Sequence, residues 1–516
     1  MSDPSPRQCP SSIGQARYAG AMKRPAPQIL SRVVAVCVPI LVFLTLIAWA
    51  YSSAVGSSPD DDFHLASIWC GLGLREGLCE DSGDPATRLV PDALQDASCF
   101  AHRPEISGAC WNPAVEGLDE TSRVNTAPLY PPLFYAVMSV FAGPDVQTSV
   151  LLMRIANAAL AVGLLTASYF ALPRFLRPAV LVPTLVAVVP LGLFVAASTN
   201  PSSWALVSAA VVWVCLYGAF RTTGRQQITL CGLAVVGAVI GAGARADAAA
   251  FAVFGVVLAF ILGFQGRRSL LYPTLTGAAI AVIAVAFYLS ADQGLAVVDG
   301  LENNPPPLTT ADHISNILGI PGLWTGALGM TALGSFDTHL PVLVPVFAFA
   351  SFCAAAIIGV HRLERRRAVA LGAAAVALGV VPFVLLAQSN LLVGYNLIQP
   401  RYILPLMIIM LGVASATPRA RADWTVPRMI IIGGMSSAAA AVALHVNISR
   451  YTMGSDRPSV DPGSDAEWWW SGVPTPMIVW LVGSAAFALV FALLALLRSA
   501  QRKAESTAVA SEALEV

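Results

Sequence analysis

A series of long apolar runs, many of them bounded by basic residues, most constrains what this chain can fold into. Of its 516 residues, 56% are hydrophobic and only 12% are charged, about half the charged share of a typical soluble domain. About twenty apolar residues suffice for a helix to cross the hydrocarbon of a bilayer. The composition therefore predicts an all-α polytopic membrane protein, and the net charge of zero argues against nucleic acid as a partner.

Twelve spans are predicted from these runs. They are 33–55, 150–172, 180–197, 203–220, 228–244, 248–264, 271–290, 341–360, 368–387, 402–416, 429–445 and 477–497. Most basic residues fall in alternate loops and in the two tails, and the positive-inside rule places those segments in the cytoplasm. The segment 314–336 is apolar and rich in glycine, but counting it as a span would reverse that pattern. We expect it to be interfacial or re-entrant.

This topology divides the chain into a transmembrane domain and two tails. Residues 1–32 lack a packable apolar set and predict a disordered cytoplasmic tail. The transmembrane domain is predicted to cover 33–497, and residues 498–516 form a second cytoplasmic tail. The loop between the first two spans then lies outside the cytoplasm.

That first loop, residues 56–128, is long and polar and contains Cys70, Cys79, Cys99 and Cys110. Outside the cytoplasm such cysteines are expected to be oxidised, and four cysteines allow three pairings. The short separations favour Cys70 with Cys79 and Cys99 with Cys110, but the sequence alone leaves the pairing open.

The segment 130–141 follows this loop and is apolar but too short to cross a bilayer. We expect a juxtamembrane helix there. In the last outer loop, 446–476, the triplet Trp468-Trp469-Trp470 is predicted to anchor the chain at the membrane interface, with a sugar-stacking platform as the alternative.

An acidic run, Asp60-Asp61-Asp62, followed by His64, comes directly after the first span. A carboxylate here suits proton abstraction, with His64 near enough to orient it. The same run also suits a divalent cation, Mg²⁺ or Mn²⁺, because hard cations prefer oxygen ligands. A solvated loop without chemistry is the third interpretation.

Three arginines, Arg154, Arg245 and Arg401, lie at the outer ends of predicted spans. A charged group near hydrocarbon is costly unless it finds a partner or water, so each is a functional candidate. Guanidinium groups grip phosphate bidentately. Snorkelling and a local pair between Arg245 and Asp247 are the structural alternatives, and Asn200 beside Pro201 suits a helix cap.

Several of these motifs together resemble the DUF2142 family of bacterial membrane proteins, which is similar to the GT-C glycosyltransferases. The family motif tends to read Pro-Asp-Glu-x-x-His, whereas Asp61 stands here in place of the glutamate. The resemblance spans about 33–416 and includes Tyr130 in its Tyr-Pro-Pro-Leu helix, Arg154 with Asn157, Asn200, and Gln399 with Arg401 and Tyr402.

The resemblance implies a GT-C-like enzyme of the bacterial plasma membrane with its active site on the outer face. It would transfer a sugar from a polyprenyl-phosphate donor to an envelope acceptor, with inversion. Asp60 or Asp61 would be the base, and the arginines would bind the lipid phosphate without an obligatory metal. A transporter or flippase and a non-catalytic assembly protein remain the alternative classes.

Overall fold

The computed structural model describes residues 26–264, 270–291, 306–360, 363–394, 398–417, 423–457 and 459–514. Ten of its helices are long and apolar enough to cross a membrane. They are α1 (Ala26–Tyr51), α5 (Val146–Ala171), α8 (Ser202–Phe220), α9 (Gly224–Ala244), α10 (Ala246–Gly263), α11 (Leu271–Leu289), α13 (Leu343–Val360), α14 (Arg365–Gln388), α16 (Val426–Met453) and α17 (Pro476–Leu514). The prediction of a helical multi-pass membrane protein is confirmed.

Two of the twelve predicted spans differ from the others. The predicted span 180–197 is broken into α6 (Arg177–Val186) and α7 (Leu191–Ala196), and 402–416 corresponds to the 16-residue helix α15 (Pro400–Ser415). Prolines explain the break, because Pro183 lies inside α6 and Pro190 precedes α7 and proline cannot donate to the helical ladder.

The predicted tails are more helical than expected in the parts that the structure describes. Helix α1 already begins at Ala26, inside the segment 1–32 that was predicted to be disordered, and α17 continues through the second predicted tail as far as Leu514. Residues 1–25 lie outside the described part of the chain, and so do the loop arginines 267, 268, 362, 419 and 421.

The loop domain, defined as residues 56–128, contains structure that the prediction of an all-α protein did not include. A three-stranded antiparallel sheet joins β1 (Glu80–Asp81), β2 (Arg88–Pro91) and β3 (Leu118–Thr121). Two short helices, α2 (Asp61–Trp69) and α3 (Asp92–Gln95), accompany it. Cys70 is bonded to Cys79 and Cys99 to Cys110, which confirms the pairing favoured by short separation.

Two predicted non-spanning segments are helical but short. Helix α4 (Leu133–Met138) with a 3-10 turn at Ser139–Phe141 forms the expected juxtamembrane element. The ambiguous segment 314–336 contains most of α12 (Thr310–Thr325) and a π turn at Gly326–Met330. It is not among the ten membrane-length helices of the described residues.

Burial is uneven around the bundle. Helix α8 is entirely buried, whereas in α11 and α14 only 28% of the residues in the apolar 18-residue stretch are buried, as expected for helices that face lipid. The loop domain has its own core with α4 and the first turns of α5 and α8. Trp468 and Trp470 belong to that core at 9% and 3% exposure, whereas Trp469 is only partly buried, so the interfacial anchor stays a prediction.

Candidate active site between the loop domain and the helix bundle

Asp60 is one of the two accessible carboxylates of the acidic run, and the other, Asp62, pairs with Arg123. Asp60 precedes α2 in the left-handed conformation (φ 60°, ψ 24°), and its side chain is 38% exposed. That side chain opens onto a cavity of about 340 Å³, which we call the acidic cavity. The cavity is lined by Ser58, Pro59, Asp60, Asp61, Asp62, Ser98, Ala101, His102, Arg123, Ser335 and Phe336.

Several residues that line the acidic cavity have left-handed backbone conformations. Five non-glycine residues of the described chain have positive φ, and three of them, Asp60, His102 and Phe336, line this one cavity. Asp and His tolerate that region, but for a bulky Phe it is a true outlier. Strained residues of this kind persist where surrounding structure holds them, and they cluster at functional sites.

Arg401 is the partner of Asp60. Its Nη2 donates a short hydrogen bond to Asp60 Oδ2, and its Nη1 donates to the Pro59 carbonyl at 3.3 Å. Burial alone would raise the pKa of Asp60, but Arg401 beside it and, to a lesser extent, His64 hold that pKa below its usual value. Asp60 is therefore an ionised carboxylate at neutral pH.

Asp61 differs from its neighbour because it is enclosed. It is 1% exposed, and it accepts hydrogen bonds from the Ser58 backbone N–H at 2.9 Å and the Thr199 hydroxyl at 2.8 Å. Burial raises the pKa of Asp61 to about 6, against the opposing effect of Arg154. Its oxygens thus hold the acidic run to the bundle, and Asp60 is the better placed of the two to meet a substrate.

His64 is buried behind the acidic run. Its Nδ1 lies 2.9 Å from the Tyr135 hydroxyl, and the ring meets Tyr130 edge to face. Burial lowers the pKa of His64 to about 3, so the imidazole is neutral at pH 7. Its Nε2 has no hydrogen-bond partner among the described residues. The backbone N–H of His64 donates to the Asp60 carbonyl at 2.9 Å, so His64 supports Asp60 from the first turn of α2.

Arg245 lies between α9 and α10 and is 2% exposed. It forms a two-pronged pair with Asp247, at 2.9 and 2.8 Å, which is the local pair that the sequence offered as an alternative. Its guanidinium also lies over the rings of Tyr402, at 4.7 Å, and Tyr130, at 5.8 Å. Tyr402 in turn lies under Arg401 at 5.2 Å, so the two arginines form one aromatic and cationic cluster behind Asp60.

Arg154 has a different environment from Arg401. Its Nη1 and Nη2 donate to the backbone carbonyls of Ala50, Ser53 and Ala54 and to the Ser57 hydroxyl, over 2.6 to 3.2 Å. Arg154 does not line the acidic cavity. These contacts hold the segment between α1 and α2 and do not support the phosphate role that the sequence suggested for it.

Asn157 and Asn200 are also occupied by protein partners. Asn157 donates to the Ser198 carbonyl and accepts from the Trp204 indole, both at 2.8 Å. Asn200 accepts from the Ser202 backbone N–H at the start of α8 and donates to the Pro59 carbonyl at 2.8 Å. Asn200 therefore caps a helix and also holds the acidic run in place.

Gln399 is the residue before α15 and makes no capping hydrogen bond. Its side chain is largely buried, and it does not line the acidic cavity. Its backbone carbonyl accepts a hydrogen bond from the Tyr402 N–H at 3.0 Å, in the first turn of α15.

Arg123 and His102 are cavity residues that the sequence did not single out. Arg123 Nε pairs with Asp62 at 2.8 Å, and the Arg123 side chain is 54% exposed. Its two terminal nitrogens make no hydrogen bond to any residue that the structure describes. Phe336 comes from the connection between α12 and α13, and nothing in its local sequence marks it. Only packing brings these residues together.

A metal centre has no ready-made ligand cluster in the described ranges. No three His, Cys, Asp or Glu side chains are grouped there so as to hold an ion. Asp60 is engaged by Arg401, and both oxygens of Asp61 accept hydrogen bonds. The cation requirement suggested by the acidic run stays a prediction.

The fold and the composition define the protein as a multi-pass membrane protein. The family described as "Predicted membrane protein (DUF2142)" matches residues 43–410. Because that match covers more than half of the chain, the protein belongs to the DUF2142 family. No curated protein matches the chain.

Proposed function

We propose that this protein is a GT-C-like glycosyltransferase that uses a polyprenyl-phosphate-linked sugar. Sugar transfer would occur at the acidic cavity, on the outer face of the bacterial plasma membrane, with a cell-envelope glycan, lipid or protein as the acceptor. The observation that carries the proposal is the accessible, ionised Asp60 in a cavity lined by three residues with left-handed backbone, with buried cations directly behind it.

Asp60 has the properties of a general base. Its carboxylate is exposed to the cavity and held ionised by Arg401. In the proposed reaction it takes the proton of the acceptor hydroxyl while the acceptor oxygen forms a bond to the anomeric carbon of the sugar. The bond between that carbon and the lipid phosphate oxygen breaks at the same time, and the phosphate leaves with its electron pair.

Arg401 links the two charge changes of that step. While Asp60 is ionised, the guanidinium is neutralised by it. Once Asp60 has accepted a proton, Arg401 has lost its counter-ion just as negative charge develops on the departing phosphate. A guanidinium placed where charge develops stabilises the transition state. Arg123, at the cavity rim, offers a second guanidinium with free terminal nitrogens.

The surroundings of the acidic cavity suit a lipid-linked donor. The acidic run follows α1 after a short buried segment, and Arg401 is in the first turn of the apolar helix α15, which packs inside the bundle. A polyprenyl chain could remain among the apolar helices while its phosphate reached the cations. Membrane lipids are therefore expected partners as well.

A transporter is the main competing class, and the bundle interior does not favour it. Transporters place polar groups at broken helices near the middle of the membrane. The break between α6 and α7 contains only Ala187, Val188, Val189 and Pro190, all buried. An assembly protein remains the other alternative, and in that case the carboxylate of Asp60 would be dispensable.

The deciding experiment replaces Asp60 and measures envelope sugars. Cells that lack the protein are complemented with wild type, with Asp60→Asn, or with Asp119→Asn, which alters an exposed aspartate on β3 of the same loop domain. We expect wild type and Asp119→Asn to restore the missing sugar and Asp60→Asn to fail at equal protein level. Full restoration by Asp60→Asn would rule out the proposed base.

A chelator addresses the cation question separately. Arg401 and Arg123 already supply positive charge at the cavity, so we expect transfer to persist in EDTA. Activity that disappears in EDTA and returns with Mg²⁺ or Mn²⁺ would mean that the acidic run holds a metal.

A further inference from the structure

A second charged cavity lies at the opposite end of the bundle, among the first turns of α1, the last turn of α5 and residues 491–505 of α17. Its volume is about 680 Å³. Four arginines line it, Arg32, Arg174, Arg177 and Arg498, and Glu505 is the one carboxylate among its lining residues in the described chain. We call it the basic cavity. This excess of positive charge favours the binding of an anion.

Arg498 has only a distant ionic partner in the basic cavity. This side chain is only 13% exposed, and its nearest carboxylate oxygen, on Glu505, is 3.8 Å away, too far for a hydrogen bond. Its Nε and Nη1 are buried without any hydrogen-bond partner among the described residues. A buried charged donor left unpaired is costly, so a bound anion would remove a real penalty here.

An apolar groove continues from the basic cavity along α1 and α5. Its volume is about 150 Å³, and it shares Tyr169, Arg177 and Leu185 with the basic cavity. Away from the arginines its walls are apolar, with Val38 and Val42 from α1 and Leu165 from α5. A charged chamber joined to an apolar groove matches a molecule with an anionic head and a hydrocarbon tail.

The helix ends around the basic cavity add to its positive potential. Helix α6 begins at Arg177, and Met429 in the first turn of α16 lines the same cavity. Helix N-termini carry partial positive charge and favour phosphate groups. The lining arginines and the two helix ends therefore favour the same ligand charge.

We propose that the basic cavity binds the phosphate headgroup of an anionic glycerophospholipid, with one acyl chain in the adjoining groove. A free phosphate compound would satisfy the arginines but leave the groove unused, which is why we assign a lipid. The sequence predicts this end of the bundle to be cytoplasmic, so the lipid would come from the cytoplasmic leaflet. The site lies at the far ends of α1 and α5 from Asp60, and the proposal does not depend on sugar transfer.

Native mass spectrometry of the full chain in mild detergent tests the proposal. Phosphatidylglycerol and phosphatidylcholine with the same acyl chains are titrated separately onto wild type, Arg498→Gln, Arg174→Gln and Arg225→Gln. Arg174 is an exposed residue that lines the cavity, so its replacement should leave the packing of the bundle intact. Arg225, an exposed arginine in the first turn of α9, does not line the cavity and serves as the control.

We expect wild type and Arg225→Gln to retain one phosphatidylglycerol at least roughly tenfold more tightly than phosphatidylcholine. Arg498→Gln and Arg174→Gln should each lose most of that preference, since removing one charge-assisted hydrogen bond costs roughly tenfold in affinity. Millimolar inorganic phosphate should not displace the lipid.

Equal retention of the two lipids by wild type, or an unchanged preference in both cavity variants, would overturn the site. Displacement of phosphatidylglycerol by inorganic phosphate would overturn the lipid assignment and favour a soluble phosphate compound. Melting temperatures measured on the same samples identify any variant that is unfolded, and Arg174→Gln then decides the outcome.

Discussion

Arg154 and Arg401 are both buried at the loop-domain end of the bundle, yet their surroundings assign them opposite roles. The terminal nitrogens of Arg154 donate hydrogen bonds to three carbonyls and one hydroxyl between Ala50 and Ser57. Arg401 instead meets Asp60, a carboxylate that is exposed to a cavity. A buried cation bound to fixed backbone acceptors can only hold structure, whereas one bound to an accessible acid can change partners during a reaction.

Asp61 lies between these two regions and links them. It bonds to Ser58, close to the carbonyls held by Arg154, and it lines the cavity that Asp60 faces. The electrostatic effect of Arg154 also reaches it. Variants at these four positions should therefore separate loss of activity from loss of stability.

Asp60→Asn should show the largest effect on activity. We expect turnover to fall about a hundred- to ten-thousand-fold, the usual contribution of a general base, with a lower melting temperature because buried Arg401 loses its ionised partner. Sugar transfer in membranes that contain equal amounts of each variant measures it. An unaffected rate would mean that Asp60, like Arg154, only stabilises the structure and is not the base.

Arg154→Gln should show the largest effect on stability. Carbonyls that lose their donor are left buried and unpaired at about 1–3 kcal/mol each, so we expect the free energy of unfolding to fall by roughly 3 kcal/mol or more. Thermal unfolding in detergent is the measurement, with exposed Arg103→Gln as the matched control. A variant that melts like wild type but loses activity would contradict the structural role.

The pH dependence of stability should report on Asp61. Its folded pKa is raised to about 6 from 3.8, so between these values the folded protein binds more protons than the unfolded chain. The Asp61 contribution to the free energy of unfolding should therefore fall as pH rises from about 4 to about 6, by up to about 3 kcal/mol. The lowered pKa of His64 gives an opposite contribution over the same range, so the Asp61 contribution is measured as the difference between wild type and Asp61→Asn.

Asp61→Asn removes this titrating group and leaves the opposing contribution of His64, so the stability of the variant should rise relative to wild type as pH rises from 4 to 6. Arg154→Gln should extend the fall to higher pH, because Arg154 lowers the pKa of Asp61. Melting temperatures recorded across pH 4 to 8 check both expectations. Parallel curves for wild type and Asp61→Asn through this window would mean that Asp61 is ionised in the folded protein.

Arg401→Lys should show the smallest effect of the series. The ammonium keeps the charge but cannot bridge Asp60 and the Pro59 carbonyl while lying over Tyr402 as the guanidinium does. We expect roughly tenfold weaker transfer at limiting donor, and near loss of transfer in Arg401→Ala. Arg103→Lys serves as the control, and a wild-type rate for Arg401→Lys at every donor concentration would reduce Arg401 to an anchor.

The sequence was sufficient for features that depend on local energetics. Hydropathy over about twenty residues marked the long helices, the shortness of 130–141 marked the juxtamembrane helix, and short separation favoured the disulfide pairs that form. It also marked the acidic run and all three arginines. The local pair of Arg245 with Asp247 was visible for the same reason, because its partners are two residues apart.

Only the tertiary structure decided what each charge does. The sequence around Arg401 offers no acidic partner, and the partner that it finds, Asp60, is 341 positions away. Arg154 likewise meets carbonyls about a hundred positions distant, and Phe336 reaches the acidic cavity from between α12 and α13. Hydropathy and periodicity describe how a segment meets lipid or its own neighbours, but the packing of distant helices determines which buried charges become partners.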